Sequence, residues 1–250
     1  MSKIVVDNLR KTYGDTVALD DVSFEVPAGE FVIILGVSGS GKSTLLRCLS
    51  SLTTPTAGEV IVDGEPMVQP RPELAMIFQQ HNIVGDMSAY SNALSGGINR
   101  CSFTESVLQL QDLEEKQRAL EALDTVGLLE EAEQKARRMS GGQQQRVGIA
   151  RALTQQPEVL LADEPVASLD PGSAQDVMQY LHHAANEREL TTFISLHQST
   201  SLESTASDLS VFTTARSLRR LSRRVDTRRY RQNLWRYRHG RHVRPNRRPD

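Results

Sequence analysis

The sequence predicts an α/β domain: a mostly parallel sheet flanked by helices, an antiparallel β region at its start, and a helical subdomain over about residues 80–145. Three observations lead there. Apolar, strand-like runs alternate with helical periods at both ends of residues 1–198. A glycine-rich loop joins one such run to the next helix. From Phe103 to about Arg138 the chain is helical in pattern, highly charged and free of strand signals.

The elements run in order along the chain. "KIVVDN" and "DDVSFEVPAGEFVIIL" read as strands, with Pro27-Ala28-Gly29 turning between two of them. "GKSTLLRCLSSL" reads as a helix closed by the breaker "TTPTAGE", and "EVIVDG" and "ELAMIFQ" read as short strands. "GGQQQRVGIARALTQQ" predicts a helix, "EVLLAD" a buried strand, "GSAQDVMQYLHHAANEREL" a helix and "TTFISL" a strand.

The 250 residues carry a formal charge of −2, which averages two unlike regions. Residues 1–198 hold 15 Lys and Arg against 27 Asp and Glu, with only five Lys; residues 199–250 hold 14 Arg, no Lys and four acids. The acidic, lysine-poor body matches the composition of proteins from salt-loving organisms. Cys48 and Cys101 form no metal-type pair and read as reduced core thiols. There is no signal peptide and no apolar run of about 18 residues. A transport role would therefore need a separate membrane-spanning partner.

"GVSGSGKST", residues 36–44, fits G-x-x-x-x-G-K-[ST], which arises by chance in roughly one such chain in a hundred. The apolar strand before it and the helix after it set that chance aside, so the chain is expected to be a P-loop nucleoside triphosphatase. Gly36, Ser38, Gly39, Ser40, Gly41, Lys42, Ser43 and Thr44 are the expected nucleotide-binding residues. Backbone N–H groups converge on phosphate at the positive end of a helix, and glycine lets the backbone approach. Lys42 would reach the β- and γ-phosphates, and Ser43 would hold Mg²⁺. In "VLLADEP", Asp163 leaves a buried strand at its C-terminal edge, where such sheets bind ligands. It would hold Mg²⁺ through water, and Glu164 would polarise the attacking water. Isolated, the pair would be a solvated strand end as often as not; after a phosphate loop it is not.

Two stretches look alike, "ALSGGINR" (93–100) and "RRMSGGQQQR" (137–146). Only the second opens a long helix, which Ser140 would cap while Gly141 and Gly142 expose its N-terminal N–H groups. The first reads as a loop.

"MSGGQQQRVGIARAL", about twenty residues before "LLADEP", resembles the signature of ABC-type ATPases. Other elements of that family occur in order: Tyr13 in "KTYG" resembles the aromatic that stacks on adenine, and Gln79 in "MIFQQ" the loop glutamine that senses Mg²⁺ and contacts the transport subunit. Asp170 in "SLDP" resembles the dimer-interface loop, and His197 in "ISLHQ" the histidine that touches the γ-phosphate. Alone, Tyr13 would be a surface aromatic and His197 a structural histidine. The resemblance spans residues 1–198. It implies a RecA-like core, ATP and Mg²⁺ as cofactors, and a head-to-tail homodimer. In that dimer Ser140, Gly141, Gly142 and Gln143 act in trans on the partner's nucleotide. Mg²⁺ ligation falls to Ser43, Gln79 and Asp163, and catalysis to Glu164, His197 and Gln79.

"MIFQQHNIVGDMSAYSNALSGG", "ADEPVASLDP" and "SLHQ" further resemble the ATPase subunits of phosphonate importers, with Met139 where leucine is usual and Val37 where proline is common. That implies a peripheral protein on the cytoplasmic side of the cell membrane. Its partners would be two permease subunits and, through them, a solute-binding protein. The alternatives are an importer ATPase for another small solute, such as an amino acid or a phosphate-like anion, and a soluble ABC ATPase acting on nucleic acid. The coiled coils, zinc modules or paired ATPase units of the last class are missing, and no nucleic-acid partner is expected.

Residues 199–250 form the remaining segment. Arginines interleaved with aromatics suit phosphates and bases, and a disordered basic extension is the bland alternative. A third reading fits better, because the family resemblance stops within two residues of His197. With synonymous codons chosen freely, one base restored after Gln198 lets the segment read VNLAREYGERFVGLHDGE, similar to the missing family sequence. A second base near Ser217–Leu218 yields an acidic continuation. The segment is therefore expected to be a frame-changed, irregular stretch that leaves sheet edges unpaired.

Overall fold

The computed structural model describes residues 2–79, 82–100, 113–197 and 210–213. The chain opens with β1 (Ser2–Tyr13), β2 (Thr16–Pro27) and β3 (Phe31–Gly36), then α1 (Lys42–Leu49), β4 (Ala57–Val62), β5 (Glu65–Pro66) and β6 (Leu74–Ile77). Next come α2 (Ala89–Leu94), a 3₁₀ turn over Ser95–Arg100, α3 (Leu113–Thr125) and a short 3₁₀ turn over Ala136–Arg138. α4 (Gly141–Thr154), β7 (Val159–Asp163), α5 (Pro171–Glu187), β8 (Thr191–His197) and β9 (Ser210–Thr213) complete the described chain.

The strands form two sheets. One is antiparallel, in the order β2-β1-β4-β5; the other runs β6-β7-β8-β3-β9, with β6, β7, β8 and β3 parallel. Parallel strands buried on both faces read as continuous apolar runs, which is why "VLLAD" is buried throughout. Alternate side chains serve two cores. Val159, Leu161, Phe193, Val32 and Ile34 join α1 and the antiparallel sheet; Leu160, Ala162 and Ile194 join the helical subdomain and α5. Lys3 on β1 ties the sheets together through Asp63 (2.6 Å) and Glu158. Cys48 is a buried free thiol, and burial pushes it up to about 11, so it stays protonated at neutral pH.

Three expectations change. The charged stretch to Arg138 is helical only in part: α3 ends at Thr125, and Gly127, at φ +64, turns the chain away. The first Ser-Gly-Gly is a 3₁₀ turn on the end of α2 rather than a loop. Ser210–Thr213, within the segment expected to be irregular, form β9 and pair antiparallel with β3 from Val32↔Thr213 to Leu35↔Ser210. Backbone hydrogen bonding thus covers over four residues an edge that was expected to stay bare. Cys101, residues 103–112 and the rest of the arginine-rich segment lie outside the described residues.

Candidate active site

The phosphate loop leaves the C-terminal end of β3 and enters α1 at Gly41, whose φ of +93 only glycine adopts without strain. A Cβ at Gly41 would also lie 2.4 Å from the Ala18 carbonyl oxygen, so β2 is pressed against the loop. That contact brings the β1–β2 hairpin to the site, with Tyr13 at the end of β1, 48% exposed and with Lys11 Nζ 5.0 Å from its ring centroid.

Lys42 is buried at the mouth of the loop. Its Nζ donates to the carbonyls of Gly36 (2.9 Å) and Val37 (3.0 Å) and pairs with Glu164 Oε1 at 3.3 Å. Ser43 Oγ donates to Asp163 Oδ1 at 2.9 Å, and Ser195 Oγ donates to the same oxygen at 2.8 Å. Ser195 Oγ in turn accepts the Glu164 N–H at 2.8 Å. Lys42, Ser43, Asp163 and Glu164 therefore meet at the C-terminal edge of the parallel sheet, where ligands of such sheets bind. Glu164 has φ +46, a left-handed conformation that costs a non-glycine residue about 1 kcal/mol or more and clusters at functional sites.

Ser195 is the site residue that sequence reasoning missed. Its signal was a hydroxyl inside the apolar strand "TTFISL", two residues before His197. His197 stands exposed at the end of β8, in register with Gly36 at the start of the loop. Gln79, exposed, lies two residues beyond Ile77, and half-buried Glu164 lies two residues beyond Ala162, the strand partner of Ile77.

The residues present fit a nucleotide with its metal. Ser40 Oγ is buried in the loop with no hydrogen-bond partner, which is the state of a donor shaped for phosphate. Ser43 and Asp163 supply hard oxygen atoms at one point, the donor type Mg²⁺ takes, and Mg²⁺ commonly uses one or two protein ligands plus phosphate and water. No group of three or more His, Cys, Asp or Glu that could cage a metal occurs among the described residues.

The signature lies elsewhere on the chain. Ser140 caps α4 with its Oγ accepting the Gln143 N–H (3.2 Å), and Gln143 Oε1 accepts the Ser140 N–H (3.0 Å). This reciprocal box starts α4, with Ser140 and Gly141 exposed and Gly142 buried. Asp170 caps α5 beside it, accepting from Gly172 and Ser173 N–H at 3.0 Å each. Hydrogen bonding to Ser173 and Gly172 holds the Asp170 carboxyl below its ordinary value of 3.8. Among the described residues no hydrogen bond joins the signature to the phosphate loop.

A P-loop with a carboxylate pair on the next strand but one, together with a capped Ser-Gly-Gly helix, defines an ATP-binding cassette. The ABC transporter family model matches residues 19–167, and the chain belongs to that family. It is 65% identical over 198 residues to the phosphonates import ATP-binding protein PhnC of Halobacterium salinarum, covering 79% of this chain and 71% of that one. It is 61% identical to PhnC 2 of Haloquadratum walsbyi, covering 79% and 70%. Among solved structures, the dimeric post-hydrolysis state of the cassette MJ0796 bound to ADP and Pi matches with a TM-score of 0.66 and 34% identity, covering 78% of this chain and 88% of that one. These relatives bear out the RecA-like, P-loop fold and the family read from the sequence.

Proposed function

We propose that this chain is the ATP-hydrolysing subunit of a phosphonate importer. It would work as a homodimer, peripheral to the cytoplasmic face of the membrane, beneath two permease subunits served by a solute-binding protein. The observation that carries the hydrolytic part is the convergence of Lys42, Ser43, Asp163 and Glu164. Kinship to phosphonate import subunits across 198 residues supports the substrate class. No helix among the described residues is long and apolar enough to cross a membrane.

Lys42 pairs with Glu164 at the end of the phosphate loop. In this reading Lys42 binds the γ-phosphate, and Glu164 orients and deprotonates the attacking water. Ser195 keeps Asp163 aimed at Ser43, and the Ser195–Glu164 bond ties the base to the same point. His197 and Gln79 close on the γ-phosphate and water from the neighbouring strand ends, and Tyr13 stacks on adenine. Mg²⁺, held by Ser43 and Asp163 with Gln79 nearby, would offset charge on the phosphate oxygens. Ser140–Gln143 of one subunit would face the nucleotide of the other, with the Asp170 loop at the interface between them.

The test is hydrolysis by the full chain and its Glu164→Gln variant. The variant should bind ATP normally and hydrolyse it at least about a hundredfold more slowly; equal rates would sink the assignment of the base. In proteoliposomes with permease and binding protein, a phosphonate should stimulate ATPase activity. Stimulation by an amino acid or phosphate alone would redirect the substrate.

We also read residues 1–198 as the ATPase domain and 199–250 as frame-changed sequence. Identity to the curated relatives extends over 198 residues, which supports that division. Sequencing the gene across codons 195–250 decides it: two missing bases restore the family's continuation, and an unchanged sequence makes the arginine-rich segment genuine.

A further inference from the structure

We propose that Arg146 is a positioning residue that locks the signature helix to the Asp170 loop, through a clamp made with Tyr180 and the carbonyls that end α3. The proposal rests on the proposed function, in which the signature acts on the partner's nucleotide.

Arg146 lies on α4 six residues after Ser140, and its side chain leaves that helix to meet two others. Nη1 donates to the carbonyl oxygens of Val126 (3.0 Å) and Gly127 (3.3 Å) and lies 3.5 Å from Tyr180 Oη. The guanidinium carbon stands 5.2 Å from the Tyr180 ring centroid, within cation–π range. The two carbonyls sit just past α3, where Gly127 N–H bonds to Asp124 and Leu128 N–H to Leu123. Helix C-terminal carbonyls carry partial negative charge, so a guanidinium suits this place. Gly127 keeps the clamp closed. At φ +64 it disfavours any side chain, and a Cβ there would lie 2.5 Å from Tyr180 Oη and 3.5 Å from Arg146 Nη1.

The same two helices also touch at their beginnings. A Cβ on Gly142 would meet Ser173 Cβ at 2.9 Å, and one on Gly141 would meet Leu169 Cδ2 at 3.5 Å. Ser173 is itself held by the Asp170 cap. α4 and α5 are thus joined at two levels, Gly142 with Ser173 and, one turn farther along α4, Arg146 with Tyr180. One contact alone would let α4 pivot about Ser173. The second fixes its angle and ties the end of α3 to the same joint. The signature, the Asp170 loop and this corner of the helical subdomain then move as one body when two subunits close on ATP.

The experiment uses the full chain carrying Glu164→Gln, so that ATP is bound and retained, and adds Arg146→Ala, Arg146→Lys, Tyr180→Ala or Tyr180→Phe. Nucleotide affinity of the single subunit is read with a fluorescent ATP analogue, and ATP-driven dimerisation by sedimentation. Arg146→Ala and Tyr180→Ala should weaken dimerisation at least about tenfold and leave single-subunit affinity within about twofold. Tyr180→Phe, which keeps the ring, should recover most of the loss; Arg146→Lys, which lacks the planar fork, should not. Affinity and dimerisation falling together would reduce Arg146 to a general stability contact and overturn the proposal. So would unchanged dimerisation in both alanine variants. A Glu164→Gln parent that forms no ATP-driven dimer would refute the role of the signature in trans, and the clamp with it. Where Arg146→Ala does not fold, the Tyr180 pair decides.

Discussion

The tripeptide Ser-Gly-Gly occurs twice in this chain with opposite uses. At 95–97 the serine looks backward: Ser95 Oγ donates to the Asn92 carbonyl at 2.6 Å and finishes α2. At 140–142 the serine looks forward, its Oγ accepting the Gln143 N–H and starting α4. The glycines differ as well. A Cβ on Gly96 would strike the Arg151 backbone carbonyl at 2.0 Å, so that glycine exists for close packing of a 3₁₀ turn on α4. Gly141 is exposed at the mouth of the signature. The residues just after the tripeptide decide its role. A helix with Gln143 at its third position makes a capping box, and "INR" does not.

The comparison breaks first at Gly96. Gly96→Ala forces a methyl into backbone and should cost about 2–3 kcal/mol of stability. The measure is a lower urea midpoint at unchanged slope, with hydrolysis per folded molecule preserved. An unshifted midpoint would mean that the first motif does not pack on α4. The next effect belongs to Ser140. Ser140→Ala should lower ATP turnover about a hundredfold while costing only about 1 kcal/mol of stability as a lost cap. A variant that loses stability but hydrolyses normally would make the second motif a plain helix cap. Ser95→Ala removes one hydrogen bond at a helix end and should cost about 0.5 kcal/mol, with turnover unchanged.

Asp170 supplies the smallest and sharpest test, being a third cap that titrates. Its folded value lies below the ordinary 3.8. Its contribution is therefore complete above the unfolded value and lost as pH falls through the folded one. Asp170→Asn keeps a capping oxygen without that titration. Stability of the natural chain relative to Asp170→Asn should be flat from neutrality down to pH about 5 and decline below about 4. A difference that stays flat throughout would place the carboxyl outside the cap.

The candidate site was largely legible because its parts are short contiguous motifs set by local backbone. Gly36–Thr44, Asp163-Glu164 and Ser140–Gln143 each lie at a strand end or a helix start, and period and capping residues locate those points. The ends of the charged stretch were harder. Charged residues continue past Thr125 without a break in composition, and only the left-handed Gly127 stops α3.

The sequence alone thus determined the P-loop α/β class and the family, and it located the short motifs that make up the candidate site. Each is set by spacing within a few residues. Only the tertiary structure decided which side chains meet. Ser195 aims Asp163 across 32 residues, Lys42 reaches Glu164 from a distant part of the chain, and Arg146 closes on Tyr180 34 residues away. It also decided that Ser210–Thr213 lie along β3. Strand neighbours and helix–helix contacts depend on register and on which buried faces share a core. A period of 2.0 or 3.6 says which face is buried and leaves open what it is buried against.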